Sequence, residues 1–249
     1  MIRVAAVGDL HFDKKSQKRI AQHLTDLKGK ADILVLAGDL TQTGHPDEMK
    51  VLAEDLRYSP IPIVAVLGNH DHHADQVDLI TQILRDNGVY VLERSSVTLE
   101  IKGVKVGIAG AKGFGGGFIG ACGSDFGEKE MKNFMRHSRA EAREFEKVIK
   151  ELECDVKIAL LHYSPIMETL EGEKKEIYPF LGSYYLAEAV DYGQADIVFH
   201  GHAHSGIEKG STPSGIPVRN VAQPVIRHAY NLYSIEKRLE TIRVLNRPQ

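Results

Sequence analysis

The stretch IVAVLGNHDHH, Ile63 to His73, joins the apolar run Ile63-Val64-Ala65-Val66 to a turn carrying an amide, a carboxylate and three imidazoles. A β-branched run of this length reads as a buried strand of a parallel sheet. Polar groups clustered at its end are costly to desolvate unless something pairs with them. The arrangement has two precedents upstream. Val4 to Val7 and Ile33 to Ala37 are also short apolar runs, and Gly8, Gly38 and Gly68 follow the three runs at a constant interval of 30 residues. That interval is about the length of one βαβ unit. Each glycine is followed at once by a residue with ligand chemistry: Asp9, Asp39 and Asn69. The intervening segments share no pattern, so this is one structural device used three times and not a solenoid repeat. In an open α/β sheet the tips of adjacent parallel strands converge on one crevice, where sites are usually placed.

Helical spacing fills the gaps. Ser16 to Lys28 carries Ile20, Ala21, Leu24 and Leu27 on one face, and Pro46 to Arg57 carries Met49, Leu52, Ala53 and Leu56. A third helix is expected over Ala74 to Asp86. The pattern then changes: Val97 to Ile101 and Val104 to Ala109 alternate around Lys102-Gly103 and predict a hairpin. A glycine-rich loop from Gly110 to Gly127 leads into a long charged helix from about Glu128 to Glu153. Strands at Val156 to Leu161 and Ile197 to His200 bracket a loop and a helix at Tyr184 to Val190. The tail from Ile216 to Val244 predicts further strands, with turns at Gln223-Pro224 and near Glu236-Lys237.

With 249 residues, 43% hydrophobic and 26% charged, the chain matches one α/β domain spanning 1–249, and no linker-like shift divides it. A net charge of -3 gives no general field for a polyanion, so wholesale nucleic-acid binding is disfavoured. No stretch has signal-peptide or membrane-spanning character. Cys122 and Cys154 form neither a C-x-x-C pair nor a disulfide framework. The expectation is a soluble, cytoplasmic protein.

The strand ends supply Asp9 and His11, then Asp39, then Asn69, His70 and Asp71, and later His162 and His200-Gly201-His202-Ala203-His204. Carboxylate, amide and imidazole without thiolate suit zinc, manganese or iron better than an all-oxygen magnesium cage. In this order the motifs D-x-H, G-D, G-N-H-D, a lone H and G-H-x-H resemble the calcineurin-like metallophosphoesterase family, from Asp9 to His204 and without a substitution.

The resemblance implies an α/β four-layer sandwich, two mixed β-sheets with helices outside, and two divalent or trivalent metal ions. One ion falls to Asp9, His11, Asp39 and His204, the other to Asp39, Asn69, His162 and His202, with Asp39 bridging. It further implies hydrolysis of a phosphodiester or phosphomonoester by a hydroxide that bridges the ions, with no covalent phosphoenzyme. His70 is then the general acid toward the leaving oxygen, and Asp71 fixes its orientation. Small-molecule substrates, nucleotides and cyclic nucleotides among them, are the first classes implied. A nuclease or protein phosphatase would use the same centre, and a non-catalytic scaffold would keep the fold. Such scaffolds tend to lose a ligand or the acid-base histidine, and none is lost here.

Other features have plainer readings. His23, His45 and His137 fall on predicted helices or loops and read as solvent-facing. His72 and His73 stand open between lining the substrate site and simple exposure. His200 is either a partner for a metal-bound imidazole or a buried strand residue with a backbone hydrogen bond. Gly115, Gly117 and Gly120 satisfy G-x-G-x-x-G only by count, in a segment better read as a mobile loop. The loop from Tyr163 to Gly182 is placed to wall or cover the site. Within it, Glu171 to Glu176 reads mostly as a solvated turn, and Tyr178 and Phe180 as packing, stacking or core residues.

Overall fold

A computed structural model describes residues 1–236, so the expected turn at Lys237 and any strand beyond it lie outside the described residues. The chain runs β1 (Ile2–Val7), α1 (Ala21–Thr25), β2 (Ile33–Ala37), α2 (Pro46–Leu56), β3 (Ile63–Val66), α3 (Val77–Asp86), β4 (Val89–Val91), β5 (Ser95–Ile101) and β6 (Val104–Ala111). It continues through β7 (Gly117–Phe118), β8 (Ala121–Cys122), α4 (Lys129–Lys150), β9 (Val156–Leu161), α5 (Tyr178–Leu181), α6 (Tyr184–Gly193) and β10 (Ile197–His200). The described part ends with β11 (Lys209–Ser211), β12 (Pro217–Asn220), α7 (Gln223–Ile226) and β13 (Asn231–Ile235).

Two mixed sheets result. One has the order β13-β1-β2-β3-β4, parallel except for β13; the other has the order β11-β12-β10-β9-β6-β5, parallel in its centre with antiparallel edges. Alternation along each strand makes the layers. Ile2, Val4 and Ala6 of β1 and Ile158 and Leu160 of β9 pack between the sheets. Their neighbours Ala5 and Val7 face Leu24, Met49, Leu52 and Leu84, while Ala159 and Leu161 face Phe145, Ile149, Leu186 and Val190. This is the expected four-layer sandwich, and both faces of the central strands are buried, which explains their uninterrupted apolar runs.

Two helices compare instructively with expectation. The segment before α1 is not helical because Asp55 of α2 accepts from the amides of Lys18 (2.8 Å) and Ile20 (3.0 Å), and Lys18 takes a φ of 57°. In contrast, α4 buries Met135, Ser138, Ala142, Phe145 and Ile149 at helical spacing and ends within three residues of the expected limits. The glycine-rich segment folds back as the small β7-β8 hairpin instead of a nucleotide-binding turn.

Candidate metal and phosphoester site

The loops leaving β1, β2, β3, β9 and β10 meet at one edge of the paired sheets. Asp9, His11, Asp39 and His204 bring ligand atoms within 4.8 Å of one another, and so do Asp39, His162 and His202. Asn69 joins the second group, its Oδ1 2.9 Å from His162 Nε2. All seven expected ligands therefore share one site, and the buried Asp39 belongs to both groups.

The backbone is bent to make this possible. Asp9, His11, Asp39 and His202 all have left-handed φ, at 56°, 45°, 49° and 70°. Such values are uncommon for residues other than glycine. Ladder-like bonds hold them: Asp9 N to Gly38 O at 2.9 Å and His11 N to Asp39 O at 3.0 Å. The glycines beside them are steric requirements. A Cβ on Gly68 would lie 2.1 Å from Asp39 Oδ1, and one on Gly201 would lie 2.2 Å from Asp9 Oδ2.

Hydrogen bonding tests whether a metal fits. His162 Nδ1 lies 2.8 Å from the Ala37 carbonyl, which can only accept, so that nitrogen carries the proton. Nε2 then faces Asn69 Oδ1 at 2.9 Å and Asp39 Oδ1 at 3.3 Å, lone pair toward oxygen acceptors. A cation placed there, a proton or a metal ion, would satisfy that contact. Burial opposes charging His162, but Asp39 outweighs it and pushes the pKa up to about 9. On the other side His204 Nε2 approaches both Asp9 Oδ1, at 2.9 Å, and His11 Nε2, at 3.5 Å. Burial would raise Asp39, yet His162 and the His70 amide hold it well below the usual carboxylate range. His202 is lowered to about 3 by burial and then by His162, and His11 is lowered by burial, so these two imidazoles stay neutral as ligands must. The Phe180 carbonyl accepts from His202 Nε2–H at 3.2 Å, which leaves the lone pair on Nδ1. The donor set and its lone-pair geometry fit a pair of metal ions sharing Asp39.

His70 stands over the site with its Nδ1 2.8 Å from the Gln42 carbonyl and its Nε2 4.0 Å from Asp39 Oδ2. Asp71 requires a correction. Its carboxylate does not orient His70; it is fully buried and accepts from Gly68 N (2.8 Å), Leu40 N (3.1 Å), Thr41 N (2.8 Å) and Thr41 Oγ1 (2.6 Å). Burial and Asp39 raise its pKa, while four donors around it demand the ionised form. The partner of His70 is the backbone carbonyl of Gln42, which no side-chain pattern could reveal.

His200 settles as a structural residue. Nδ1 bonds the Gly201 carbonyl at 2.8 Å and Nε2 takes the Thr169 hydroxyl at 2.9 Å, pinning the end of β10 to the 163–182 loop. That loop packs under the site through Ser164, Thr169 and Leu170. Glu171, Lys174, Lys175 and Glu176 face solvent, but Glu173 accepts from Ser205 N at 2.7 Å and steadies the G-H-x-H segment. Tyr178 is an anchor, bonding Leu170 O at 3.0 Å, whereas Phe180 remains exposed. His23 and His137 are exposed as expected, and His45 caps α2 through Nδ1. His73 is exposed; His72 is half-buried, its Nε2 buried without a partner.

With this geometry in view, residues 2–206 match the signature of the calcineurin-like phosphoesterases. The chain belongs to the calcineurin-like phosphoesterase family. The phosphoesterase is 34% identical over 73 residues to a probable glycerophosphodiester phosphodiesterase, GpdQ, of Arcobacter nitrofigilis, covering 28% of this chain and 27% of that relative. It thus spans about a quarter of the length of the curated relative it matches. Among solved structures it is similar to the phosphopantetheinyl hydrolase PptH of Mycobacterium tuberculosis, with 14% identity, a TM-score of 0.65 and 90% of each chain covered. It is also similar to a putative 5'-nucleotidase of Staphylococcus aureus in complex with alpha-ketoglutarate, with 13% identity, a TM-score of 0.58, and 94% of this chain and 53% of the other covered. At these identities the structural likeness concerns the fold. Among the described residues no helix is long and apolar enough to cross a membrane.

Proposed function

We propose that this phosphoesterase hydrolyses a phosphodiester or phosphomonoester of a small molecule, with nucleotides the first class to test. Asp9, His11, Asp39 and His204 would hold one metal ion and Asp39, Asn69, His162 and His202 a second. The observation that carries the reading is the buried Asp39 shared by two ligand groups, since two close dications need an anion between them. Bound there, the ions supply Lewis acidity toward water and the phosphoryl oxygens. The chain's own part is positioning and proton supply. His70 donates Nδ1–H to Gln42, which fixes its ring and leaves Nε2 directed at the crevice beside Asp39. Protonated there, it can give that proton to a departing alkoxide.

The test is hydrolysis of bis(p-nitrophenyl) phosphate and p-nitrophenyl phosphate by chelator-stripped protein reloaded with manganese. Turnover of at least one ester, abolished in Asp39→Asn together with full metal stoichiometry, is expected. Silence on both esters with metals bound would sink the reading.

A further inference from the structure

We propose that Lys112 is a specificity-determining residue of this site, supplying the positive charge that receives a dianionic phosphoryl group and so favours phosphomonoesters over diesters. This rests on the phosphoesterase reading above and adds to it the charge state of the preferred substrate.

Lys112 follows β6 directly, at a strand end like the proposed ligands. Its carbonyl accepts from the amides of His162 (3.1 Å) and Tyr163 (3.0 Å), which ties its backbone to the strand end that presents His162. The ammonium lies 5.1 Å from the centroid of Phe114 and 5.2 Å from that of Tyr163. The Tyr163 ring in turn packs 4.4 Å from His202 and 5.6 Å from His162. Lys112, Tyr163 and the two imidazoles form one wall beside the group that shares Asp39.

The charge on that wall has no ion-pair partner among the described residues. Nζ donates to the Gly113 carbonyl at 3.1 Å, and among the described residues no carboxylate comes within ion-pair distance of it. Burial lowers the Lys112 pKa, and the nearby acids Glu93 and Glu141 act against that from a distance; both pair with Arg94, and Glu93 also accepts from the Lys112 amide at 3.3 Å. His72 has a buried Nε2 without a partner, and burial and then Lys112 lower its pKa to about 4. An ammonium held on two aromatic faces, partly out of water and without a carboxylate partner, is a receptor for an anionic oxygen. A phosphomonoester brings two ionised oxygens at neutral pH, of which a diester has only one. The extra charge is what Lys112 can recognise.

The experiment uses manganese-loaded wild type, Lys112→Met and Lys112→Arg, with metal content measured in each. Calorimetric titration with inorganic phosphate is run beside kinetics on p-nitrophenyl phosphate and bis(p-nitrophenyl) phosphate. Lys112→Met is expected to weaken phosphate binding about tenfold and to lower monoester kcat/KM about tenfold more than diester kcat/KM, chiefly through KM. Lys112→Arg, which keeps the charge on the same rings, should retain most of both. Unchanged phosphate affinity, equal losses on the two esters, or an Arg variant as impaired as the Met variant would overturn the proposal. If the wild type cleaved neither ester, the phosphoesterase reading would fall, while the phosphate titration would still decide the role of Lys112.

Discussion

His70 and Asp71 are adjacent in sequence, and their side chains point in opposite directions from one turn. His70 turns toward the crevice, while Asp71 turns inward and collects four donors from the β2 and β3 loops. Replacing either has a distinct expected outcome. His70→Ala should lower kcat by about 10²–10⁴ while leaving metal content and stability near wild type. Asp71→Asn places an amide NH₂ among donors and should cost about 3 kcal/mol in urea unfolding, with His70 still seated on Gln42. An Asp71→Asn protein of wild-type stability that loses only activity would restore the orienting role. The sequence made every ligand type legible because imidazoles and carboxylates at strand ends are rare and spaced by motif. It was silent on Gln42, Ala37 and Phe180, whose backbone carbonyls set the tautomers, since a carbonyl looks the same in every residue.

At the level of elements, the site depends on strands that end in a glycine and a left-handed turn. Residues such as Asp39 in this conformation cost about 1–3 kcal/mol each and persist only where surrounding bonds over-determine them. The neighbouring glycines leave no room for repair. Gly68→Ala should displace Asp39 and reduce metal affinity by at least about tenfold, as read by metal titration of stripped protein. Gly29→Ala is the control: its φ of 75° carries backbone strain, but a Cβ there meets nothing. It should cost about 1 kcal/mol and leave metal binding intact. Equal metal affinity in both variants would show that the close approach at Gly68 is not required. The spacing of Gly8, Gly38 and Gly68 made these strand ends visible in advance. The shortened α1 was not visible, because Asp55, 35 residues downstream of Ile20, competes for the amides that would start the helix.

For the whole molecule, the two sheets are joined by packing and, at one end, by Asp32. Its carboxylate accepts from the Arg3 amide at 2.9 Å, pairs with the Arg3 guanidinium at 2.9 Å, and meets Lys102 from the β5-β6 turn at 2.7 Å. Burial would raise its pKa, but these partners bring it well below the usual carboxylate range. A depressed folded pKa contributes stability that is present above the unfolded value and lost as pH falls through the folded one. Asp32→Asn should therefore cost about 1–2 kcal/mol at pH 7, and the gap to wild type should narrow as unfolding is followed below about pH 4. A gap that stays constant with pH would remove Asp32 from this role. By itself the sequence determined the alternation of strands and helices, because periodicity is a local property of the chain, while the four layers and the expected ligands were what the resemblance of its motifs implied. Only the tertiary structure decided that Asp71 is a buried fastener, that His200 pins a loop, and that Lys112 has no carboxylate partner among the described residues. Those roles depend on which donors and acceptors from distant segments occupy the same few ångströms, and no local pattern encodes that.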